Sequence, residues 1–150
     1  VKLLESEKCA MCHTNYNFLL GSSKTIKTIK SKSKIYYEDL LRGRLPGAST
    51  VLINTDFFSE LTTFCDDRYL DSINDYVIWL FLFRNSKNYS ICIEEPMMNY
   101  LFHGKNLSAN KLKQLYKHYF ILKNIEKIRF FKLIFYVLMN LVSKAKSYIL

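Results

Sequence analysis

The sequence predicts a globular domain that contains both β-strands and α-helices. Two short runs with apolar, β-branched centres, residues 50–54 (TVLIN) and 89–93 (YSICI), are typical of strands. Between them, the spacing i, i+3, i+4 and i+7 of four apolar residues predicts a helix over residues 71–83: Tyr76, Trp79, Leu80 and Phe83. With 49% hydrophobic residues and only 2 prolines in 150 residues, the chain has ample material for one core.

The first fifty residues predict a β-hairpin followed by a short helix. Residues 8–20 and residues 24–30 (KTIKTIK) flank a Gly-Ser turn, and the lysines of the second run predict an exposed sheet edge. CAMCH, at residues 9–13, matches the C-x-x-C-H pattern of haem attachment, but no export signal is visible, so we expect a half-buried strand with reduced thiols. Residues 36–42 predict a helical turn that ends at Gly43.

Local signals in the second half of the chain predict further short elements. Thr55 and Asp56 predict the cap of a short helix over residues 57–61. The strand at residues 89–93 is expected to stop at Glu94-Glu95-Pro96, with residues 97–102 extended beyond it.

The C-terminal region combines helical periodicity with positive charge. Ser108 is a candidate helix cap, and two helices are expected up to about residue 143, with a break near Asn124. Nine Lys and Arg residues against one Glu give residues 111–150 a charge of +8, out of +9 for the chain. The face expected to be apolar is as follows: Leu112, Leu115, Tyr116, Tyr119 and Leu122.

Residues 130–142 form the most apolar window. A membrane-spanning helix needs about 20 apolar residues, so this window is too short to span. Its phenylalanines and neighbouring basic residues are typical of a helix in a membrane interface, and packing against protein is an equally open alternative. Nucleic-acid binding is disfavoured because no recognition motif accompanies the positive charge.

Asp75 stands in the first turn of the predicted central helix, where the helix dipole favours a negative charge. The position suits a general base, and it equally suits an N-terminal cap. Trp79, the only tryptophan, is expected to anchor the helix that carries this carboxylate.

Four segments in order resemble conserved stretches of one enzyme family. They are CHTNYNFLLG, KIYYEDLLRGRLPGASTVLINTDFF, FCDDRYLDSINDYVIWLFLFR and EEPMMNYLFHGKNLSANK. Together they resemble the C-terminal half of bacterial family 2 glycosyltransferases, the GT-A type enzymes of O-antigen and capsule assembly. The resemblance implies an α/β fold: a partial GT-A-like mixed sheet with flanking helices over residues 1–108, then basic amphipathic helices over residues 109–150.

The resemblance also implies a reaction, the transfer of a sugar from a nucleotide-sugar donor to a hydroxyl of a glycan acceptor. The family's general base falls on Asp75, whose carboxylate would take the proton of the attacking hydroxyl. The preceding Glu of the family's pair is Asn74 here, which can hydrogen-bond an acceptor sugar but holds no charge. Ser49 and Thr50 match a Ser-Thr pair on a strand near the active site and, with Asn74 and Trp79, are candidate acceptor-binding residues.

His103 matches a family histidine that lies near the metal and diphosphate, whereas Leu101 replaces the arginine of that motif and lacks its bidentate donor. A divalent metal, Mn²⁺ or Mg²⁺, is implied for the family. The D-x-D metal motif is expected before Val1, because the acid pair Asp66-Asp67 falls in the wrong place for it.

Two functional interpretations therefore stay open. The first is the acceptor-side half of a glycosyltransferase that uses a lipid-linked acceptor and lies peripherally on the cytoplasmic face of the inner membrane, held there by its basic C-terminal helices. The second is a truncated, inactive glycosyltransferase remnant that acts at most as a binding or interaction module. Asn74, Leu101 and the missing donor half favour the second.

Overall fold

A computed structural model describes residues 2–20, 24–57, 74–84, 88–103 and 110–149. These residues form a mixed five-stranded sheet flanked by helices, which confirms the predicted α/β class and agrees with a partial GT-A-like fold. The predicted helix start at residues 71–73, and Asp66-Asp67, lie outside the described residues.

The central strand of the sheet is β1 (Met11–Leu20). Along one edge it pairs in parallel with β5 (Ser90–Phe102). Two antiparallel strands share its other edge, β4 (Val51–Ile53) beside residues 11–13 and β2 (Lys24–Ile29) beside residues 16–20. β3 (Lys34–Ile35) closes the order β2-β1-β5-β3 by pairing antiparallel with β5. The predicted hairpin and the edge position of its second strand are thus confirmed.

The expected break of the second strand at residues 94–96 is wrong, because β5 continues through them to Phe102. The ladder shifts register there: Thr14 pairs with Ile93, and the next residue, Asn15, pairs with Pro96. A bulge accommodates a proline, which has no N–H to donate to the ladder. The Asn15 side chain stabilises the bulge by donating its amide to the Glu94 carbonyl at 2.5 Å.

β4 is shorter than the strand expected over residues 50–54, because only three of its residues pair with β1. None of these three residues is fully buried, although a buried strand was expected. Thr50 lies before it, in a 3₁₀ turn formed by Ala48–Thr50. A second 3₁₀ turn spans Thr55–Phe57 where a helix cap was expected. Residues 58–61 of that expected helix lie outside the described residues.

The predicted central helix is present as α3 (Asn74–Arg84), and its predicted apolar stripe is buried. Val77 and Leu82, off that stripe, are buried as well, so the helix is enclosed on most sides. α2 (Tyr37–Leu41) packs beside it, and the Tyr76 hydroxyl donates to the Leu40 carbonyl at 2.9 Å.

The predicted pair of C-terminal helices is also present. α4 (Lys111–Phe120) begins after Asn110, whose side chain accepts the Lys113 N–H at 2.9 Å. Asn110 is therefore the N-cap, and Ser108, which was expected in that role, lies outside the described residues. A π-helical turn follows α4 near Asn124, where the break was predicted, and α5 (Phe130–Ile149) completes the chain.

The predicted apolar face of α4 is only partly correct. Leu122 is buried, but Leu112 is 81% exposed and Tyr116 is exposed too. The helix instead turns His118 into the protein, where its ring stacks on that of Tyr76 with centroids 5.6 Å apart. Burial of the large apolar residues Ile121 and Leu122 fixes this rotation of the helix.

The C-x-x-C-H segment leads into β1, which begins at Met11, and it is fully buried where a half-buried strand was expected. Cys9 and Cys12 are free thiols packed against Leu4 of an additional N-terminal helix, α1 (Lys2–Glu7), which the sequence did not reveal. The His13 Nδ1 atom lies 2.6 Å from the Ser90 hydroxyl on β5. Burial raises the pKa of both thiols, and these cysteines act as small core residues.

The C-terminal helices share the main core with the rest of the described chain. Leu133 and Tyr136 of α5 belong to the same apolar cluster as Leu40 of α2 and the buried side of α3. The division into residues 1–108 and 109–150 stays a prediction. No helix in the described ranges is sufficiently long and apolar to cross a membrane.

Glu126, in the turn between α4 and α5, joins three elements of the fold. Its buried carboxylate accepts hydrogen bonds from the Arg84 guanidinium at the end of α3 and from the Tyr37 hydroxyl of α2. Burial and this carboxylate raise the pKa of the Tyr37 phenol well above its ordinary value. The C-terminal helices are thereby fixed to the helix that carries Asp75.

We expect Glu126→Gln to lower the free energy of unfolding by about 2–3 kcal/mol, because it leaves the partly buried Arg84 cation without its counter-charge. Denaturant titration measures this change. Glu95→Gln makes the same chemical change at an exposed position on β5 and should be nearly neutral. Equal effects of the two substitutions would show that Glu126 does not join these elements.

Candidate functional site

A cleft of about 560 Å³ opens between the C-terminal halves of strands β1 and β5 and the start of α3. Its floor is aromatic, since Tyr16 and Phe18 of β1 face Tyr100 and Phe102 of the parallel strand β5. Phe18 stacks on both neighbours, with ring centroids 6.0 Å from Tyr100 and 5.7 Å from Phe102. The alternation of side chains along paired strands brings all four rings to one face of the sheet.

Asp75 lies at the wall of this cleft, in the first turn of α3, with its carboxylate exposed. Its Oδ1 atom accepts the Tyr76 N–H at 2.8 Å, which fixes the carboxylate against the start of the helix. Asp75 is thus the second residue of the helix and does not precede it as a cap would, and its base role stays a prediction. Asn74 precedes it as the first residue of the helix.

Ser49 and Thr50 separate in the structure. Ser49 is exposed and lines the cleft together with Asp75 and Lys111. Thr50 is buried, and its hydroxyl donates to the Gly47 carbonyl at 2.7 Å, so it stabilises the 3₁₀ turn that presents Ser49. Both residues were expected on a strand, and the correction is that they lie in the turn before it.

Trp79 is 3% exposed within the main core, one turn along α3 from Asp75. A side chain enclosed in this way presents no surface to a sugar in this structure. Trp79 was expected among the acceptor-binding residues, but here it packs in the core and anchors α3, which the sequence had also indicated.

His103 lies one residue beyond Phe102, at the end of β5, and is exposed. Leu101, which the family resemblance aligns with an arginine, is exposed on the face of β5 opposite Tyr100 and Phe102. His103 thus lies at the end of the cleft floor.

A divalent metal finds no complete set of ligands in the part of the chain that the structure describes. No three His, Cys, Asp or Glu side chains converge there. Asp75 and His103 alone do not provide the six oxygen-rich ligands that Mg²⁺ prefers.

Sequence reasoning missed the aromatic floor and Lys111. A signal was present, since Tyr16-x-Phe18 and Tyr100-x-Phe102 each repeat an aromatic residue at the strand period of two. Lys111 had no comparable signal, because its place beside Asp75 depends on how α4 packs.

A second, smaller cavity of about 120 Å³ lies on the other side of Asp75, between the end of α2 and the C-terminal helices. His118 of α4 and Asn140 of α5 line it, although they are only 4% and 2% exposed. Gly43 has a φ of +73°, and a Cβ atom there would lie 2.0 Å from the Asn140 Nδ2 atom, so only glycine leaves room for this amide.

Charge around the smaller cavity is predominantly positive. Lys117 and Lys144 line it with His118, and Asp75 contributes one carboxylate. Burial and the positive charge of Lys144 lower the pKa of His118 to about 4. A hydrogen bond with the Leu41 backbone opposes this decrease. Burial and Lys111 also lower the pKa of Lys144.

One comparison with known proteins supports a distant relationship to a glycosyltransferase. The chain is similar to a protein of Bacillus subtilis (strain 168) that is provisionally named a teichuronic acid biosynthesis glycosyltransferase, TuaG. The two are 22% identical over 133 residues, which are 88% of this chain and 51% of the relative. The chain therefore spans about half the length of the curated relative it matches. No family model and no solved structure matches the sequence.

The low pKa of His118 makes stability depend on pH. An unfolded histidine binds a proton near pH 6.5, whereas the folded one stays neutral down to about pH 4, so acidification between these values favours the unfolded chain. We expect this group to contribute a loss of about 2–3 kcal/mol in the free energy of unfolding across that window. Denaturant titrations at several pH values, with His118→Gln as the non-titrating comparison, measure it. Identical pH slopes in the two proteins would contradict the assignment.

Proposed function

We propose that the protein acts as a glycosyltransferase in cell-surface polysaccharide synthesis, and that the 560 Å³ cleft receives the acceptor glycan. The observation that carries the proposal is the Asp75 carboxylate, which faces an aromatic-floored cleft from the first turn of a rigidly packed helix. The distant glycosyltransferase relationship supports the same reaction class.

Asp75 is the proposed general base. An alcohol is a poor nucleophile, and a carboxylate within hydrogen-bond distance takes its proton as the oxygen attacks the anomeric carbon of the donor sugar. The proton passes to Asp75 and the acceptor oxygen forms the new glycosidic bond to the anomeric carbon. The bond from that carbon to the donor diphosphate oxygen breaks, and the nucleoside diphosphate leaves. Ser49, which lines the cleft, and Asn74, which precedes Asp75 in the chain, are the proposed partners of the acceptor hydroxyls.

The aromatic floor suits a sugar ring. A pyranose has apolar C–H surfaces that pack on the faces of aromatic rings, while its edge carries hydroxyl groups that need polar partners. Phe18 and Phe102 provide the ring faces, and Tyr16 and Tyr100 add phenol hydroxyls beside them. Burial raises the pKa of Tyr16, so this hydroxyl stays protonated and able to donate at neutral pH.

The donor side of the reaction is proposed to need more than the described residues. We assign His103, at the end of the cleft floor, to the neighbourhood of the donor diphosphate. A divalent metal, which the family resemblance implies, would neutralise diphosphate charge, with His103 as one candidate ligand and further ligands from elsewhere in the full-length protein. A nucleotide-sugar donor and a lipid-linked acceptor remain the proposed substrates of the full-length protein.

We further propose that α5 lies on the cytoplasmic face of the inner membrane. Leu133 and Tyr136 bury one side of this helix, while its other side exposes a stripe of large apolar residues: Phe130, Phe131, Ile134, Phe135, Leu138, Leu141 and Val142. Arg129 and Lys132 are exposed beside the stripe. Each basic residue near an anionic surface contributes about 1 kcal/mol of attraction, in addition to insertion of the aromatic side chains.

Asp75→Asn should reduce kcat for sugar transfer roughly 10²-fold or more while the protein stays folded, because the amide cannot accept the proton. The measurement is transfer from nucleotide-sugars to a lipid-linked acceptor by the full-length protein. Asp56→Asn, an exposed change outside the cleft, should leave kcat unaltered. Unchanged turnover in Asp75→Asn would exclude the base role, and absence of transfer by the unsubstituted protein would favour the inactive remnant.

Substitution of Phe131, which is 85% exposed, by serine should weaken binding to anionic vesicles about tenfold, because one large apolar side chain no longer inserts. Leu52→Ser removes an exposed apolar side chain on β4, away from α5, and should leave binding unchanged. Vesicle flotation with anionic and neutral lipids measures both variants. Equal flotation of the two variants would exclude α5 as the membrane contact.

A further inference from the structure

A groove of about 220 Å³ lies between α4 and the N-terminal half of α5. The residues that line it are all aliphatic or aromatic: Tyr119, Phe130, Leu133, Ile134, Val137 and Leu138. Leu133 is buried, whereas Phe130, Ile134 and Leu138 are exposed. The groove is thus a recess in the exposed apolar stripe of α5, and filling it would remove apolar surface from water, which is favourable.

The size and lining of the groove suit a flexible hydrocarbon chain. Its volume is below the roughly 300–1,000 Å³ of pockets that enclose a compact drug-sized ligand. From Phe130 to Leu138 the lining follows α5 for about 12 Å. A sugar or a nucleotide has polar groups that need partners, so an apolar recess of this kind is unsuited to either.

Basic residues lie beside the groove. The Lys123 Nζ atom is 5.5 Å from the centroid of the Tyr119 ring, and Arg129 and Lys132 are exposed next to Phe130. Neither Arg129 nor Lys132 forms an ion pair in the part of the chain that the structure describes. A symmetric interface between two copies of the chain would bring these cations towards their own counterparts, whereas an anionic lipid surface attracts them. The charges therefore favour a lipid over a second copy.

The orientation of α5 directs the groove towards Asp75. Before α5 begins, Glu126 binds Arg84, the last residue of α3. Further along α5, Lys144 lines the smaller cavity together with Asp75, which lies in the first turn of α3. The two helices therefore run in opposite directions, and a chain that lies in the groove extends along α5 towards Asp75. Leu138, at the near end of the groove, is about 9 Å along the helix from Lys144.

We propose that this groove binds the hydrocarbon chain of the lipid-linked acceptor, while the sugar end of the same molecule reaches the cleft beside Asp75. The assignment rests on the proposed function, because it takes the acceptor to be a lipid-linked glycan. Two parts of α5 then have different tasks. The outer stripe inserts into the lipid leaflet, and the groove holds one chain along the helix.

Calorimetric titration of the full-length protein with a soluble short-chain isoprenyl diphosphate tests the groove. Leu138→Gln should weaken this binding about tenfold, because an apolar contact is lost and an amide is buried beneath the chain. Leu141→Gln makes the same change on the exposed stripe of α5, outside the groove, and should alter the affinity less than about twofold. The two leucines are 55% and 44% exposed, so both variants should stay folded. No binding by the unsubstituted protein, or equal effects of the two substitutions, would overturn the proposal.

Further titrations separate this occupant from other lipids and from the head group alone. With inorganic diphosphate, Leu138→Gln should have no effect, because the head group does not reach the groove. With a soluble short-chain phosphatidylglycerol, Leu138→Gln and Leu141→Gln should have equal effects. A loss confined to Leu138→Gln with phosphatidylglycerol, and absent with the isoprenyl diphosphate, would assign the groove to a membrane phospholipid and overturn the proposal.

Sedimentation of the same proteins tests the remaining occupant, a second copy of the chain. We expect the oligomeric state to be the same in Leu138→Gln and in the unsubstituted protein. A dimer that Leu138→Gln dissociates and Leu141→Gln does not would assign the groove to a second copy and overturn the proposal.

Failure of the groove and failure of the proposed function are distinguishable. Isoprenyl diphosphate binding that depends on Leu138, without sugar transfer, would leave the groove standing as a lipid site and contradict the proposed reaction. Sugar transfer with the same KM for the lipid-linked acceptor in Leu138→Gln and in the unsubstituted protein, together with unaltered isoprenyl diphosphate binding, would do the reverse.

Discussion

The ion pair between Glu126 and Arg84, with the Tyr37 hydroxyl as its third member, is the contact on which the arrangement of helices depends. Glu126 is the single acidic residue among the last forty, and the protein buries it. A buried charge is tolerated only when it is paired and hydrogen-bonded, so the turn after α4 has one favourable position, against the end of α3 and the side of α2. The apolar packing of Ile121 and Leu122 on the same side adds non-directional attraction to this directional contact.

Fixing α4 and α5 in this way places their positive charge in two different surroundings. One side of α5 keeps its apolar and basic residues exposed, while Lys117 and Lys144 turn towards the cavity beside Asp75. The same helices can therefore serve a surface role and a site role. Asp75 lies between the sheet and the C-terminal helices, and it lines both the larger cleft and the smaller cavity.

Local pattern was sufficient to predict α3, the β1–β2 hairpin and the break between α4 and α5, because each depends on spacing within a short segment. It failed at β5, where the breaking tendency of Glu94-Glu95-Pro96 is overridden by pairing with the whole length of β1. It failed again on α4. The apolar spacing predicted that Leu112 and Tyr116 would be buried, but both are exposed and the polar His118 is buried. Asp75 was indicated by its place in the first turn of the predicted helix and Ser49 by the family resemblance, and the fold places both at the same cleft. The small cavity was beyond prediction, because its residues come from distant parts of the chain and meet only through tertiary packing.

The close approach of Gly43 and Asn140 has a consequence for how the sequence can vary. Any side chain at position 43 would meet both an unfavourable backbone conformation and the Asn140 amide. Shortening residue 140 would relieve the collision but not the backbone strain. Substitution of Gly43 should therefore be unfavourable even in a protein with a smaller residue 140, whereas the contact with Gly43 limits residue 140 only in size. The dependence between the two positions thus runs in one direction, from the backbone conformation at Gly43 to the size of residue 140.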